Sequence, residues 1–132
     1  MGLCVRAALF SVLVFQVSVV QAYDQKAEKV LDGLNPETRL VKICELEGME
    51  RIDNDKNALH PEHVMIDYLK PPHYSSANSV WGNHALLRSR GVWYYLAYQC
   101  STNPDHSKVT HFSYKLGKKI ERSQWDELGL FP

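Results

Sequence analysis

Residues Val92 to Cys100, VWYYLAYQC, form the stretch of this chain that decides its fold. The stretch lacks glycine and proline and is rich in aromatic side chains, a composition typical of a β-strand. Successive side chains of a strand point to opposite faces, so alternate residues from Val92 to Cys100 share one face of a sheet. If Cys100 reaches a cysteine on a helix, that whole face lies against the helix and belongs to the core.

A helix is predicted from Pro36 to about Ile52 and can supply that cysteine. Asn35 is suited to cap the helix, and the proline that follows favours the first helical position. Leu40, Ile43 and Cys44 fall on one side of the helix, which is the apolar stripe expected to face a core. This arrangement places the Cys44 thiol on the buried face.

The first 22 residues predict a cleaved secretory signal peptide. Arg6 is their only charged residue, an apolar run from Ala7 to Val20 follows, and small residues occupy the −3 and −1 positions at Val20 and Ala22. An uncleaved membrane anchor is the alternative, but the run is shorter than the roughly 20 residues of a membrane span. We therefore expect the mature chain to begin near Tyr23, to be periplasmic or secreted, and to have no transmembrane segment.

Export leaves Cys44 and Cys100 as the thiols of the mature chain. An even number of cysteines in an oxidising compartment predicts a disulfide. The competing interpretation is a redox or nucleophilic cysteine, but no Cys-x-x-Cys motif is present. We expect a structural disulfide that joins the helix to the sheet.

Charge and length restrict the class of protein. The chain has 15 basic and 15 acidic residues, and removal of Arg6 with the leader leaves a net charge of −1. This balance gives no electrostatic reason to expect nucleic acid or anionic lipid as a partner. Residues 23–132 have a length that suits a single domain.

The order of the predicted elements indicates an α+β fold with two layers. N-terminal helices are expected to pack on a roughly four-stranded antiparallel sheet, followed by a short C-terminal helix. The other predicted elements are a first helical segment in Tyr23–Leu34, strands at Val64–Leu69, Val80–Arg88 and Lys108–Leu116, and a terminal helix capped at Ser123 that docks Trp125 and Leu128.

The expected register places Trp93 and Tyr95 on the face of the sheet opposite the helix. Both side chains are large for simple exposure to solvent. Trp93 either tucks under the terminal helix or the Pro71-Pro72 loop, or it forms a contact patch for a partner or a sugar ring.

Arg88 and Arg90 precede Gly91 at the expected turn between two strands. They can simply belong to this turn, or they can form a fork that binds a carboxylate or phosphate. The candidate contact surface therefore consists of Arg88, Arg90, Trp93 and Tyr95.

Evidence for a metal or cofactor is weak. The six histidines are scattered, and no His-Glu-x-x-His motif occurs. Asp53, Asp55 and Asn57 have the spacing of the first ligands in a calcium loop. However, Ala58 replaces the required glycine and Val64 the required glutamate. We therefore predict no cofactor and no metal site.

Two functional hypotheses remain, and the first is favoured. The chain is a non-enzymatic envelope module that binds a protein or a glycan through the candidate contact surface. The alternative is a small envelope hydrolase with His84 or His106 as the base, near Arg88 or Glu62. A serine nucleophile at Ser89 is not favoured, because the surrounding sequence lacks the first glycine and the helix of a nucleophile elbow.

Several segments of the chain resemble a known family, DUF930, which comprises small secreted proteins of alphaproteobacteria, mainly Rhizobiales. The most specific features are Arg88-Ser89-x-Gly91-x-Trp93-Tyr94, the later Cys100 and Pro104-Asp105-His106. The similar segments are Leu31–Leu40, Cys44–Ile52, Ala85–Tyr94, Pro104–Gly117 and Ile120–Leu130.

The resemblance implies a secreted single domain. The family has no established activity, so no catalytic or binding residue can be transferred to this chain. The family pattern usually has polar residues where this chain has Val92 and Tyr95. This difference makes the outer face more apolar and favours a contact surface.

Overall fold

The computed structural model describes residues 29–132, of which 29–32 are helical. The predicted signal peptide and the first six residues of the expected Tyr23–Leu34 helix lie outside the described residues. The elements are helix α1 (Pro36–Asn54), strands β1 (Pro61–Met65), β2 (His73–Ser76), β3 (Ser79–Ser89), β4 (Val92–Thr102) and β5 (Val109–Lys119), a 3₁₀ turn (Arg122–Gln124) and helix α2 (Trp125–Leu128).

Helix α1 begins where its local sequence predicts. Asn35 is the N-cap, and its side-chain oxygen accepts a hydrogen bond of 2.9 Å from the backbone N–H of Thr38. Pro36 occupies the first helical position, where its missing N–H costs nothing. Leu40 and Ile52 are buried at the two ends of the apolar stripe. Within residues 29–132, no helix has both the length and the apolar character needed to cross a membrane.

The sheet is antiparallel and has the order β1-β3-β4-β5, with β2 also paired to β3. Strand β2 pairs with residues 79–81 of β3, whereas β1 pairs with residues 86–89. Residues 82–85 of β3 therefore have no partner among the described strands on that side. Strands β3 and β4 are joined by a tight turn in which Arg90 and Gly91 have φ angles of 51° and 74°.

Two apolar clusters lie on opposite faces of the sheet. The larger cluster packs α1 against alternate residues of β4, and it contains Leu96, Tyr98 and Cys100. A disulfide joins Cys44 to Cys100 with a Cα–Cα distance of 6.0 Å, which confirms the predicted register. The smaller cluster lies on the outer face, where the C-terminal segment covers it.

The α+β class is confirmed, but the expected packing of several N-terminal helices on the sheet is wrong for the described residues, in which residues 29–32 are the described helical part of the predicted Tyr23–Leu34 segment. One long helix, α1, precedes the sheet, and α2 is a single turn near the end of the chain. Ser123 does not cap α2, because it lies within the 3₁₀ turn and provides no side-chain cap.

The strand boundaries also differ from the prediction. Strand β1 begins at Pro61 rather than Val64, and β2 occupies a stretch for which the sequence predicted no strand. Strand β5 continues past Leu116 to Lys119, because a bulge absorbs one extra residue opposite Tyr95.

Tyr114 of β5 fastens the loop that follows α1. Its hydroxyl donates a hydrogen bond of 2.6 Å to Asp55 Oδ2 and accepts one of 2.9 Å from Asn57 Nδ2. Desolvation, together with the hydrogen bond to the Asp55 carboxylate, raises the pKa of Tyr114 to about 12 from its ordinary value of 10.0.

The stability supplied by this contact is expected to fall at alkaline pH. Because the folded pKa exceeds the unfolded one, the contribution is complete below pH 10.0 and is lost as the pH rises through about 12. Urea unfolding of Tyr114→Phe should show a loss of about 1 kcal/mol at neutral pH that shrinks as the pH rises. Asp55→Asn is the matched control, and spectroscopic titration should give it a lower tyrosine pKa. A constant difference between Tyr114→Phe and wild type across this range would contradict the assignment.

Candidate functional site

Arg88 is part of the fold and does not form an open anion-binding fork. Its Nε lies 2.9 Å from Glu62 Oε2, and its side chain is 14% exposed. The guanidinium carbon lies 4.7 Å from the ring centroid of Phe131 and 5.6 Å from that of Trp93. Glu62 also accepts the backbone N–H of Gly91 at 3.2 Å, so the same ion pair fixes the adjacent turn.

Trp93 is fully buried, which corrects its place in the candidate contact surface. Its exposed fraction is 0%, and its indole N–H donates a 3.0 Å hydrogen bond to the Phe131 carbonyl oxygen. Trp125 and Leu130 of the C-terminal segment belong to the same apolar cluster. Of the two alternatives that the sequence left open for Trp93, the structure shows burial, with Trp125 of the terminal helix in its cover.

The two remaining residues of that candidate surface do not form a patch with it. Tyr95 is half-buried against the outer cluster, and Arg90 is exposed at the tip of the β3–β4 turn. With Trp93 enclosed and Arg88 held by Glu62, the four residues do not provide a common exposed surface.

His106 has a structural role that the sequence did not reveal. The side chain is buried, and its Nδ1 lies 2.8 Å from the carbonyl oxygen of Pro36. Its Nε2 lies 3.0 Å from the carbonyl oxygen of Ala77 and 3.0 Å from Asn78 Oδ1. The imidazole therefore ties the β4–β5 turn to the start of α1 and to the β2–β3 loop, and it is not positioned as a base beside Arg88 or Glu62.

The described histidines are not arranged as a buried acid–base pair. Among residues 29–132, one histidine lies within 4.0 Å of a carboxylate. This pair is His60 and Asp53, 3.8 Å apart, and both side chains are more than 60% exposed. His84 is exposed and packs edge-on to Tyr95, with 6.4 Å between ring centroids. The described residues contain no group of three or more His, Cys, Asp or Glu side chains that could hold a metal ion.

A different aromatic side chain is exposed on the outer side of the sheet. Trp81 of β3 is 40% exposed and stacks on His73 of β2, with ring centroids 4.3 Å apart and an interplanar angle of 20°. The strand register continues this row through Gln99 of β4 and Ser113 of β5. We call these four residues, together with the neighbouring Lys115, the Trp81 face.

A cavity opens where β3 lacks a strand partner. Gly82 pairs with Tyr98 and Ala85 with Leu96, so Asn83 and His84 form a bulge that carries one extra residue. The loop after β1 crosses this gap and closes a cavity of about 370 Å³. We call this cavity the edge cleft. Its lining residues are Ile66, Lys70, Pro71, Pro72, His73, Gly82, Asn83, His84, Ala85 and Tyr98.

Tyr98 lines the edge cleft and carries a buried hydroxyl group. The side chain is 4% exposed, and its hydroxyl makes no hydrogen bond to the described residues. A Cβ at Gly82 would lie 3.2 Å from the Tyr98 ring and 3.3 Å from its hydroxyl, so glycine permits this close approach. Burial, together with the nearby Tyr74 and Asp67, raises the pKa of Tyr98 well above its ordinary value.

The sequence model of the family described as Domain of Unknown Function (DUF930) matches residues 31–130. The chain belongs to this family. The match confirms the resemblance seen in the sequence and spans α1, the sheet, the disulfide and most of the C-terminal segment. No curated protein and no solved structure matches the chain.

Sequence reasoning missed both the Trp81 face and the edge cleft of this DUF930 domain. One available signal was Gly82, next to Trp81 in the predicted strand Val80–Arg88, because glycine inside a strand often marks a bulge or a close approach. A second signal was the polar pair Asn83-His84, which interrupts the alternation of that strand.

Proposed function

We propose that this DUF930 chain is an exported, non-enzymatic binding module that holds a glycan of the cell envelope on the Trp81 face. The observation that supports the proposal most directly is the exposed Trp81 ring, fixed by stacking on His73. A large aromatic side chain left at the surface commonly marks a contact site. An indole held in one orientation offers a flat apolar surface to the ring of a sugar.

Polar side chains surround the ring on the same face. Gln99 and Ser113 lie in the same cross-strand row as Trp81, and Lys115 lies one row away opposite Ala97. Amide, hydroxyl and ammonium groups can donate hydrogen bonds to sugar oxygens, and the first two can also accept them. The combination of a stacking ring and short polar side chains suits a neutral or weakly anionic glycan.

The scaffold under this face is rigid. The Cys44–Cys100 bridge ties the sheet to α1, and Cys100 follows Gln99, the residue of β4 that pairs with Trp81. A preorganised surface loses little conformational freedom on binding. A disulfide of this kind also fits an oxidising compartment, which supports a periplasmic or secreted location.

Trp81→Ala is expected to weaken retention on purified, insoluble peptidoglycan roughly tenfold, equivalent to about 1.4 kcal/mol. The cause is loss of the stacking surface, and co-sedimentation with increasing amounts of peptidoglycan measures it. Leu116→Ala is the matched control, since Leu116 is 37% exposed but lies on the helix face of β5. This control should bind like the wild-type chain.

Three results would contradict the proposal in distinguishable ways. Equal retention of Trp81→Ala and wild type would remove the Trp81 face as the glycan site. Recovery of one envelope protein, without glycan binding, would make the face a protein contact. Release of soluble sugar fragments that depends on His84 would favour the alternative of an envelope hydrolase.

A further inference from the structure

The edge cleft has features of a small-molecule site that the Trp81 face does not explain. Its volume of about 370 Å³ lies within the range of small-ligand pockets. It lies beside a bulge in β3, and bulges often occur next to binding sites because they redirect side chains. The bulged residues Asn83 and His84 both line the cleft.

The Tyr98 hydroxyl has no hydrogen-bond acceptor among residues 29–132, which favours an acceptor supplied by a ligand. A buried polar group without a partner is costly, so native proteins rarely retain one without a reason. Phenylalanine would fill the same space beside Gly82 without that cost. A ligand oxygen in the cleft would accept the hydrogen bond that the fold leaves unmade.

The other lining groups indicate the chemistry of that ligand. Lys70 supplies a cationic ammonium group, and the imidazoles of His73 and His84 supply further donors. Ile66, Pro71, Pro72 and Ala85 supply an apolar wall. Cationic donors beside an apolar wall suit a small molecule with one acidic group and a compact apolar body.

We propose that the edge cleft binds a small monocarboxylic acid, whose carboxylate is held by Lys70 and by the Tyr98 hydroxyl.

The surrounding charges favour a single negative charge over two. Asp67 and Glu45 act electrostatically on Tyr98, so a dianion entering the cleft meets repulsion from both. Glu45 is largely compensated, because it accepts hydrogen bonds of 2.7 Å from Lys42 Nζ and 2.9 Å from the Ile66 N–H. Asp67 is exposed and remains as the main opposing charge.

The test is a titration of the disulfide-bonded mature chain with benzoate, benzamide and inorganic phosphate, followed by amide chemical shifts. Benzoate should shift the signals of residues 66–73 and 82–85 and should bind at least tenfold more tightly than the other two compounds. Benzamide has the same ring without the charge, and phosphate is an anion without the apolar body. Equal affinity for benzoate and benzamide, tighter binding of phosphate, or no shifts with benzoate at millimolar concentrations would overturn the proposal.

Two variants assign the contacts. Tyr98→Phe should melt at the same temperature as wild type or higher, because it removes an unpartnered hydroxyl, and should bind benzoate roughly tenfold more weakly. Lys70→Gln, at an exposed position, should lose at least as much affinity. Lys115→Gln on the Trp81 face is the control with unchanged affinity. Wild-type affinity in both Tyr98→Phe and Lys70→Gln would refute the site, even if the Trp81 face binds glycans.

Discussion

Replacement of Trp93 by alanine is expected to lower the free energy of unfolding by about 3–5 kcal/mol. The indole is fully enclosed, and its N–H is bonded to the Phe131 carbonyl oxygen. Alanine would leave a large cavity between the sheet and the C-terminal segment and would also remove one of the two aromatic partners of Arg88. Urea unfolding monitored by circular dichroism measures the loss.

Trp81→Ala is the matched control for this variant. Trp81 and Trp93 lie on the same outer side of the sheet, yet their exposed fractions are 40% and 0%. The Trp81 variant should lose less than about 1 kcal/mol, since much of its ring already contacts water. Similar losses in the two variants would show that the C-terminal segment does not cover Trp93 as described.

Simultaneous replacement of Cys44 and Cys100 by alanine is expected to cost about 4 kcal/mol of stability. The bridge closes a loop between residues 56 positions apart and is buried between α1 and β4. Its removal frees the unfolded chain and also leaves space in the larger apolar cluster. The melting temperature and the urea concentration at the unfolding midpoint should both fall.

Reduction provides an independent check on the same bridge. Wild type treated with a thiol reductant should approach the stability of the double variant, whereas the double variant should not respond to the reductant. A double variant as stable as oxidised wild type would contradict a structural role for the disulfide.

Local signals in the sequence account for the parts of the fold that were predicted well. The start of α1 depends on Asn35 and Pro36, whose effects act within one helical turn. The face of β4 that packs on α1 followed from strand alternation and the need for Cys100 to reach Cys44. In each case neighbouring residues or one covalent link carried enough information.

The features that were missed depend on contacts between distant segments. Strand β2 has four exposed residues after two prolines, so its sequence shows no burial pattern. It forms because its backbone pairs with the edge of β3. The edge cleft forms because β1 and β2 pair with different parts of β3 and leave residues 82–85 between them. No local sequence pattern predicts these two registers. The sequence left two alternatives open for Trp93, because its cover comes from Leu130 and Phe131, more than 30 residues away.

The candidate site was displaced for the same reason. Arg88 and Trp93 looked like surface groups because their partners, Glu62 and the C-terminal segment, lie far along the chain. The exposure of Trp81 was not predicted, because no nearby residue indicates that His73 of β2 would stack on the ring and leave it 40% exposed. The sequence placed a candidate contact surface on the outer side of the sheet, and the proposed glycan site keeps that side with Trp81 as its anchor instead of Trp93.

The position of the cover over Trp93 has a consequence for chain synthesis. The helix-side cluster can close as soon as residues up to Phe112 are available, but the outer cluster needs Leu130. During synthesis of the chain, the indole of Trp93 therefore stays uncovered until Leu130 has emerged. Truncated products that end before Trp125 would expose this apolar ring to solvent.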